Sequence, residues 1–119
     1  MAHYYDCFVI PVPKKNLKAY RKMAKLSAKV WIKYGALEYV ETLSDDVSKG
    51  KITSFPRSVK LKAGEQVVVG YATYKSRAHR DQVMAKVMKD ESLTKIWDNM
   101  PFDGMRMIWG GFKSFVSNP

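Results

Sequence analysis

Three segments of the chain have apolar side chains at consecutive positions within stretches that favour β-strands. They are residues 8–10 (Phe-Val-Ile), 67–69 (Val-Val-Val) and 107–109 (Met-Ile-Trp). Successive side chains of a strand point to opposite faces of a sheet, so a sheet built from these segments is apolar on both faces. Helices can cover one face only. The sequence therefore predicts that a second copy of the chain, related by a twofold axis, covers the other face.

The periodicity of the sequence predicts the element order β-α-β-β-α(α)-β. Strands are expected at residues 4–10, 36–43, 65–74 and 105–116, and helices from Asn16 to Gly35, from Ser76 to Met88 and from Asp90 to Pro101. A chain of 119 residues has the size of one domain. Split βαβ units place both long helices on one side of an antiparallel sheet. The prediction is one α+β domain over residues 1–119, a ferredoxin-like βαββαβ sandwich.

Proline and glycine positions refine these expectations. The first strand is expected to end at Pro11, because proline cannot donate a hydrogen bond to a neighbouring strand. Gly110 and Gly111 predict a β-bulge or a close backbone approach in the last strand. The connection over residues 44–64 is long for two strands of one sheet, and a helical turn held by Phe55, Val59 and Leu61 is expected within it.

The formal net charge of +10 predicts attraction to polyanions, at least at low salt. Sixteen of the 21 basic residues are lysines, which suit a solvated surface as well as they suit phosphate contacts. One face of the first helix carries Lys18, Lys22, Lys25, Lys29 and Lys33. The opposite face carries Leu17, Tyr20, Ala24, Trp31 and Tyr34, with Met23 and Val30 at its margin. The lysine stripe either follows an anionic partner or is a solvated outer face, and specific nucleic-acid binding is not expected.

Several classes of protein are not favoured. Cys7 is the only cysteine, so an internal disulfide and a multi-cysteine metal site are excluded. No apolar run approaches the roughly 20 residues that span a bilayer, and the N-terminal residues lack the basic region of a signal peptide, so a cytoplasmic protein is expected. Phosphate-binding glycine loops, nucleophile elbows and metal-binding helix motifs are absent from the sequence. No metal or cofactor is expected.

Five segments resemble a known family of proteins. They are residues 8–17 (FVIPVPKKNL), 35–41 (GALEYVE), 53–57 (TSFPR), 76–81 (SRAHRD) and 100–104 (MPFDG). Together they resemble the YbaA-like bacterial family of unknown function, over nearly the whole chain. The resemblance implies membership of the dimeric α/β-barrel superfamily and no established activity. That superfamily includes cofactor-free monooxygenases, haem-degrading enzymes, lactone isomerases and stress-responsive proteins, so the fold leaves the function open.

The haem-degrading relatives bind the haem iron with a histidine on the second helix, and they place an Asn on the first strand and a Trp on the third. His79 matches the histidine of that pattern. The first strand offers Asp6 and Cys7 instead of the Asn, and the third offers Tyr71 and Tyr74 instead of the Trp. One match out of three does not favour haem binding.

A pocket between the sheet and the helices is expected to collect Asp6, Tyr39, His79 and Arg106. Asp6 stands in an otherwise apolar strand, so an inward-pointing Asp6 has a raised pKa and is a candidate general base. The alternative is that Tyr5, Cys7 and Val9 face the core while Asp6 pairs with a Lys or Arg near an edge. Asp6 and His79 are the candidate catalytic residues, and Tyr39, Arg57 and Arg106 are the candidate ligand-binding residues.

Four arginines are candidates to bind a carboxylate or phosphate through two parallel hydrogen bonds: Arg57, Arg77, Arg80 and Arg106. Arg57 lies in the long connection, where a lid over a pocket would sit. Loop packing and surface charge explain these arginines equally well. The first functional hypothesis is a homodimer that binds a small molecule in the pocket, as a binding protein or as a cofactor-independent enzyme. The second is a non-catalytic module that binds anionic partners through the lysine stripe.

Overall fold

The computed structural model describes residues 3–118 as one α+β arrangement of four strands and four α-helices. The strands are β1 (Tyr4–Pro13), β2 (Glu38–Leu43), β3 (Glu65–Tyr74) and β4 (Ile108–Lys113). The helices are α1 (Leu17–Lys33), α2 (Phe55–Ser58), α3 (Arg77–Val87) and α4 (Glu91–Trp97), with a 3-10 turn over Lys14–Asn16 before α1. The predicted element order is confirmed, and α2 is the helical turn expected in the long connection.

The four strands form one antiparallel sheet in the order β2-β3-β1-β4. The longest pairing joins β1 to β3 along ten residues, from Tyr4 opposite Tyr74 to Pro13 opposite Glu65. The edge strand β4 pairs with β1 from Lys113 opposite Tyr4 to Ile108 opposite Val9 without an inserted residue. The expectation of a bulge at Gly110 and Gly111 is therefore wrong, and the alternative of a close backbone approach is taken up below.

β1 continues through Pro11 and Pro13, so the expected end at Pro11 is wrong. Lys14 donates its backbone N–H to the carbonyl of Gly64, which places the nitrogens of even-numbered residues on the side of β3. Both proline nitrogens therefore point to the other side of β1. On that side the pairing with β4 stops at Val9 opposite Ile108, so no strand is present to accept a hydrogen bond from residues 11 and 13, and none is missing.

The helices pack on one face of the sheet, which we call the helix face. Its β1 and β3 residues have even numbers, and Ile10, Val12, Val68, Ala72 and Tyr74 are all buried. The buried stripe of α1 is Tyr20, Met23, Ser27 and Val30. Met23 and Val30, which the sequence predicts at the margin of the apolar face of α1, therefore lie at the centre of its buried face. The helix is rotated about its own axis by about one residue position from the expected orientation. Gly35 ends α1 with φ of +114°, a conformation that glycine adopts without a steric penalty.

The connection between β2 and β3 is held to the sheet by Arg106. Its guanidinium donates to both carboxylate oxygens of Glu65 at 2.8 and 2.6 Å, and to the carboxylate of Asp103 at 2.9 Å. It also donates to the backbone carbonyl of Lys60 at 3.0 Å. The buried side chain of Val59 anchors the same connection, whereas Phe55 is half exposed. Arg106 and Val59 together tie this segment to the start of β3.

The second face of the sheet, which we call the open face, is covered near Val67 by the connection that contains α2, and elsewhere it has no helix packed on it and is mainly apolar. Across the four strands it presents Tyr5, Cys7, Val9, Val40, Val69, Tyr71, Ile108 and Phe112. Ile108 and Phe112 are 45% and 59% exposed, and Tyr5 and Tyr71 stack edge to face. Glu38, on β2, is its one charged side chain outside the Arg106 contacts among residues 3–118. The two-faced apolar sheet expected from the sequence is therefore present.

Among residues 3–118, none of the helices is both long enough and apolar enough to pass through a bilayer.

Candidate functional site

Asp6 is the third residue of β1 and lies on the helix face, and only 8% of its surface is exposed. The hydroxyl of Tyr74 donates a hydrogen bond to its Oδ2 at 2.9 Å. The Nε of Arg80, on α3, lies 3.6 Å from its Oδ1. The sequence alternatives for Asp6 are thereby resolved: Asp6 points inward and pairs with an arginine, while Tyr5, Cys7 and Val9 lie on the open face.

Aromatic residues complete the surroundings of this carboxylate. Trp31, on α1, donates its indole N–H to the hydroxyl of Tyr74 at 3.0 Å, so that hydroxyl both accepts and donates. Arg80 donates from Nη2 to the hydroxyl of Tyr4 at 3.1 Å, and its guanidinium lies 5.0 Å from the centre of the Tyr4 ring. We call Tyr4, Asp6, Trp31, Tyr74 and Arg80 the Asp6 cluster. It joins β1, β3, α1 and α3 at one end of the sheet.

Two buried polar atoms in the Asp6 cluster have no hydrogen-bond partner among residues 3–118. They are Oδ1 of Asp6 and Nε of Arg80. Their separation of 3.6 Å is longer than a charge-assisted hydrogen bond, which is usually about 2.7–2.9 Å. A buried polar atom without a partner costs free energy, and nearly all such atoms in proteins are paired. The cluster therefore holds an acceptor and a cationic donor that form an ion pair but no close hydrogen bond.

Burial sets the protonation of the cluster. It raises the pKa of Asp6 above its usual 3.8, and the hydrogen bond from Tyr74 and the charge of Arg80 only partly oppose this effect. Burial also raises the pKa of Tyr74, and the charge of Asp6 adds to the shift, so Tyr74 remains a hydroxyl donor. A carboxyl group with a raised pKa can accept a proton, and the cation beside it can stabilise the negative charge that the transfer leaves on the proton donor.

Gly111 of β4 pairs with Asp6 and runs directly against the cluster. A methyl group added at its Cα would come within 2.3 Å of the Tyr4 hydroxyl oxygen and 2.5 Å of Nη2 of Arg80. Glycine is therefore required here for the backbone to approach these two side chains, as one of the two sequence alternatives proposed. Gly111 itself is exposed, so this edge of the sheet is where the cluster meets the surface.

His79 lies beside the cluster, not within it. Its ring packs edge to face on Tyr74, with 6.0 Å between the ring centres. Its Nδ1 accepts the backbone N–H of Lys75 at 2.9 Å, which leaves Nε2 to carry the proton of the neutral ring and to face Gly35. His79 thus contacts Asp6 only through Tyr74. Its predicted catalytic role stays a prediction.

Tyr39 belongs to a second polar group on the helix face. Its hydroxyl donates to one carboxylate oxygen of Glu41 at 2.7 Å, and the hydroxyl of Tyr20 donates to the other. Burial raises the pKa of both tyrosines. The ring of Tyr39 contacts that of Trp31, with 5.4 Å between the centres, so Trp31 connects this group to the Asp6 cluster.

The other two predicted ligand-binding residues lie at the far end of the sheet. Arg106 is held by Glu65, which pairs with Pro13, whereas the Asp6 cluster includes the opposite end pair of Tyr4 and Tyr74. Nine residue steps separate these ends, or about 30 Å at roughly 3.4 Å per residue. Arg57 lies in the connection before β3 and lines a surface cavity there. The expected single pocket that joins Asp6, Tyr39, His79 and Arg106 is therefore not formed.

Sequence reasoning identified Asp6 but missed most of its partners. The sequence places Trp31 on the core face of α1, offers Tyr74 only as a substitute for a Trp, and offers Arg80 only as a candidate to bind an anion. The signal that points to Asp6 is an isolated carboxylate in an apolar strand. No comparable signal marks Tyr74, because its pairing with Asp6 spans 68 residues.

No group of three or more His, Cys, Asp and Glu side chains within residues 3–118 has the arrangement of a metal site.

Comparison with known proteins gives a family without an assigned activity. A family model described as "Protein of unknown function (DUF1428)" matches residues 3–104. Proteins titled "Uncharacterized protein YbaA" from Escherichia coli strain K12 and from Shigella flexneri are each 42% identical over 113 residues, covering 95% of this chain and 97% of the relative. Among solved structures, the "De novo designed protein Foldit4" aligns with a TM-score of 0.45 and 8% identity, covering 98% of this chain and 100% of that one. A TM-score below 0.5 does not identify a shared fold.

Proposed function

The chain belongs to the DUF1428 family, which includes YbaA-like proteins of unknown function, and on that premise we propose that it is a homodimer that binds a small molecule at the Asp6 cluster. Asp6 is the residue that accepts or returns a proton. The proposed enzyme needs no cofactor, because the side chains of the cluster themselves supply a base and a cationic donor. The observation that carries it is the pair of unsatisfied buried atoms, Oδ1 of Asp6 and Nε of Arg80.

The homodimer follows from the open face. The element order and the strand order β2-β3-β1-β4 agree with a ferredoxin-like sandwich, and the open face of that sandwich is mainly apolar on β1, β3 and β4. Exposed apolar patches of this extent mark interaction surfaces. A twofold-related copy offers the same apolar face, so two subunits cover each other and form the dimeric α/β barrel. Burial of about 800 Å² per subunit would make a standard interface.

The reaction that fits the two free atoms is proton abstraction from a carbon next to a carbonyl group. Oδ1 of Asp6 takes the proton, the electron pair of the C–H bond forms a C=C bond, and the π electrons of the carbonyl group move to its oxygen. Nε of Arg80 donates a hydrogen bond to that oxygen and stabilises its new charge. In a β,γ-unsaturated substrate the resulting dienolate takes the proton back from Asp6 at its γ-carbon and gives the α,β-unsaturated isomer, so atoms and electrons balance without a cofactor. Tyr74 and Trp31 hold the carboxylate in place, and His79 supports Tyr74.

The edge of the sheet at Gly111 is the route by which a ligand reaches the cluster. Asp6 and Tyr74 are buried, whereas Arg80 and Tyr4 are only partly covered and Gly111 is exposed. Arg80 is therefore the side chain that must move to admit a ligand. Its loose 3.6 Å and 3.5 Å contacts with Asp6 and Asp81 are compatible with such a movement.

A thermal-shift screen of small keto acids, lactones and phenols tests this proposal. A ligand that binds the folded protein raises its Tm, and compounds with an exchangeable proton next to a carbonyl are expected to do so. For each compound that binds, NMR in D₂O is expected to show protein-dependent loss of the signal of that proton. Asp6→Asn is expected to abolish this exchange and to retain binding, because asparagine keeps the shape and loses the base.

Asp81→Asn is the matched control, since Asp81 is an exposed carboxylate on the same side of α3 as Arg80. It is expected to leave exchange unchanged. If no compound raises the Tm of the wild type, or if Asp6→Asn exchanges as fast as the wild type, the proposal is wrong.

The second candidate function is an interaction with polyanions through α1. Its lysine stripe (Lys18, Lys22, Lys25, Lys29 and Lys33) is exposed, and α1 contains no acidic residue. None of these lysines lies within 4.0 Å of a carboxylate among residues 3–118. A positively charged surface that forms no ion pairs with carboxylates of its own chain favours the binding of anionic partners. Heparin belongs in the same screen, and a Tm shift that disappears at high salt would reflect this surface and not the Asp6 cluster.

A further inference from the structure

We propose that the connection between β2 and β3 contains a second binding site, for organic anions that carry an apolar chain or ring. A cavity of about 680 Å³ lies there, within the usual range for small-molecule sites. It is separate from the Asp6 cluster by about the length of β3, roughly 30 Å at about 3.4 Å per residue. The inference therefore goes beyond the proposed reaction and does not depend on it.

Positive charge dominates the lining of this cavity. Lys49, Arg57, Lys60 and Lys62 line it, and no acidic side chain does. Asp46 precedes Val47 in the sequence but does not line the cavity. Glu65 follows Ala63 by two residues, but Arg106 binds both of its oxygens and the backbone N–H of Lys62 donates to one of them at 2.7 Å. Its charge is thus already compensated. An anion is the ligand that this lining favours.

Arg57 is held in position before any ligand arrives. Its Nε donates to the backbone carbonyls of Lys49 at 2.9 Å and Gly50 at 3.3 Å, and Nη2 donates to Gly50 at 3.0 Å. Only two of its five N–H groups take part in these bonds, so others are left to bind a carboxylate. Ser54 supports the same turn, because its side chain accepts the backbone N–H of Arg57. A pre-oriented guanidinium loses less entropy when it binds.

The backbone of Lys60 supports a functional interpretation of this turn. Lys60 has φ of +49°, the one positive φ outside glycine among residues 3–118. Such a conformation is uncommon for lysine and costs free energy. The surrounding contacts maintain it: the carbonyl of Lys60 accepts a hydrogen bond from Arg106, and its N–H donates to the carbonyl of Arg57.

An apolar space adjoins the charged one. Val47 lines the cavity of 680 Å³ and also a neighbouring cavity of about 140 Å³. The smaller cavity is lined mainly by apolar side chains, among them Leu43, Phe55, Val67 and Val69, with the exposed Asp45 also in its lining. A ligand with its anionic group near Arg57 can therefore place its hydrocarbon part against Val47 and the β3 valines. This arrangement assigns the ligand class as amphiphilic organic anions.

Isothermal titration calorimetry with octanoate and naphthalene-2-sulfonate tests the site. At least one of these anions is expected to bind, and at least tenfold more tightly than octan-1-ol or acetate, which each lack one half of the ligand. Arg57→Gln is expected to weaken that binding at least tenfold. Lys25→Gln removes one charge from α1, outside the cavity, and is expected to change it less than twofold.

Asp6→Asn separates this proposal from the proposed reaction, because it is expected to leave octanoate binding unchanged. Three results would overturn the site: neither anion binds at millimolar concentration, octan-1-ol binds as tightly as octanoate, or Lys25→Gln weakens binding as much as Arg57→Gln. Circular dichroism of each variant ensures that a loss of binding is not a loss of folding.

Discussion

Burial of Asp6 has a consequence for stability that depends on pH. The folded protein raises the pKa of this carboxyl above 3.8, mainly through desolvation, so it favours the protonated form more than the unfolded chain does. Stability from this group is therefore fully present below pH 3.8 and declines as the pH rises through the raised value in the folded state. Ionisation of Asp6 therefore costs the folded protein more free energy than it costs the unfolded chain, as is common for residues that carry a function.

Asp6→Asn tests this argument, because asparagine resembles the protonated carboxyl and does not titrate. The stability of the variant minus that of the wild type is expected to increase as the pH rises from 3.8, and to become constant above the folded pKa of Asp6. Urea denaturation at pH values from 3 to 7 measures both free energies of unfolding.

Asp81→Asn provides the comparison, since Asp81 is exposed and lies next to the same arginine. A stability difference for Asp6→Asn that decreases with rising pH would mean that Arg80 outweighs the cost of burial.

At this scale the sequence predicted the unusual residue and not its partners. A carboxylate between apolar neighbours is visible in one dimension, and so is the glycine pair that the backbone approach requires. The contacts that give Asp6 its chemistry come from Tyr74 and Arg80, each about 70 residues away along the chain. Local periodicity carries no information about such pairs, so Arg106 was grouped with Asp6 although the two lie at opposite ends of the sheet.

Several elements begin or end where a side chain satisfies the backbone. Ser76 accepts the N–H of His79 at the start of α3, and Asp90 accepts the N–H of Ser92 at the start of α4, both as the sequence predicts. The bounds of β3 are also as predicted. β4 is shorter than expected, because Asp103 and Arg106 hold the preceding residues in a turn and because β1, its partner, begins at Tyr4.

Arg106 connects the start of β3, the turn at Asp103 and the connection between β2 and β3. Its removal is expected to loosen all three segments. Its side chain and that of Glu65 are 13% and 6% exposed, so Arg106→Ala leaves a buried carboxylate without its cation. Breaking such a pair costs about 3 kcal/mol. Urea denaturation is expected to show this loss, and hydrogen exchange is expected to become faster over residues 59–65.

Arg77→Ala is the control for this variant. The ion pair between Arg77 and Asp81 is 75% and 57% exposed and 4.0 Å long, so its loss is expected to cost less than about 1 kcal/mol. If Arg106→Ala lowers the free energy of unfolding no more than Arg77→Ala does, and if it also weakens the binding of a small molecule, then Arg106 binds that molecule and does not stabilise the fold. That result would support its place among the ligand-binding residues predicted from the sequence.

For the whole molecule, the open face is the surface on which the proposed homodimer depends. The sequence predicts a sheet that is apolar on both faces and a second subunit as the cover of one of them. Val9→Lys places a charge at the centre of the open face, next to Val69 and Ile108. Light scattering at micromolar concentration is expected to show a dimer for the wild type and a monomer for this variant.

Ile32→Lys is the control, because Ile32 is an exposed aliphatic residue on α1, away from the open face. It is expected to remain dimeric. A folded wild-type monomer, or an unchanged dimer of Val9→Lys, would show that the open face does not join two subunits.

The two prolines of β1 also limit how β4 can pair with it. Beyond Ile108 the outer side of β1 has no neighbouring strand. Pro11 and Pro13 have no backbone N–H to offer on that side, and Pro11 is fully buried, so the chain itself already covers this part of β1. If β4 slid along β1 in that direction, its carbonyl groups would find no donors. The prolines thus favour the observed register of the edge strand over a shifted one.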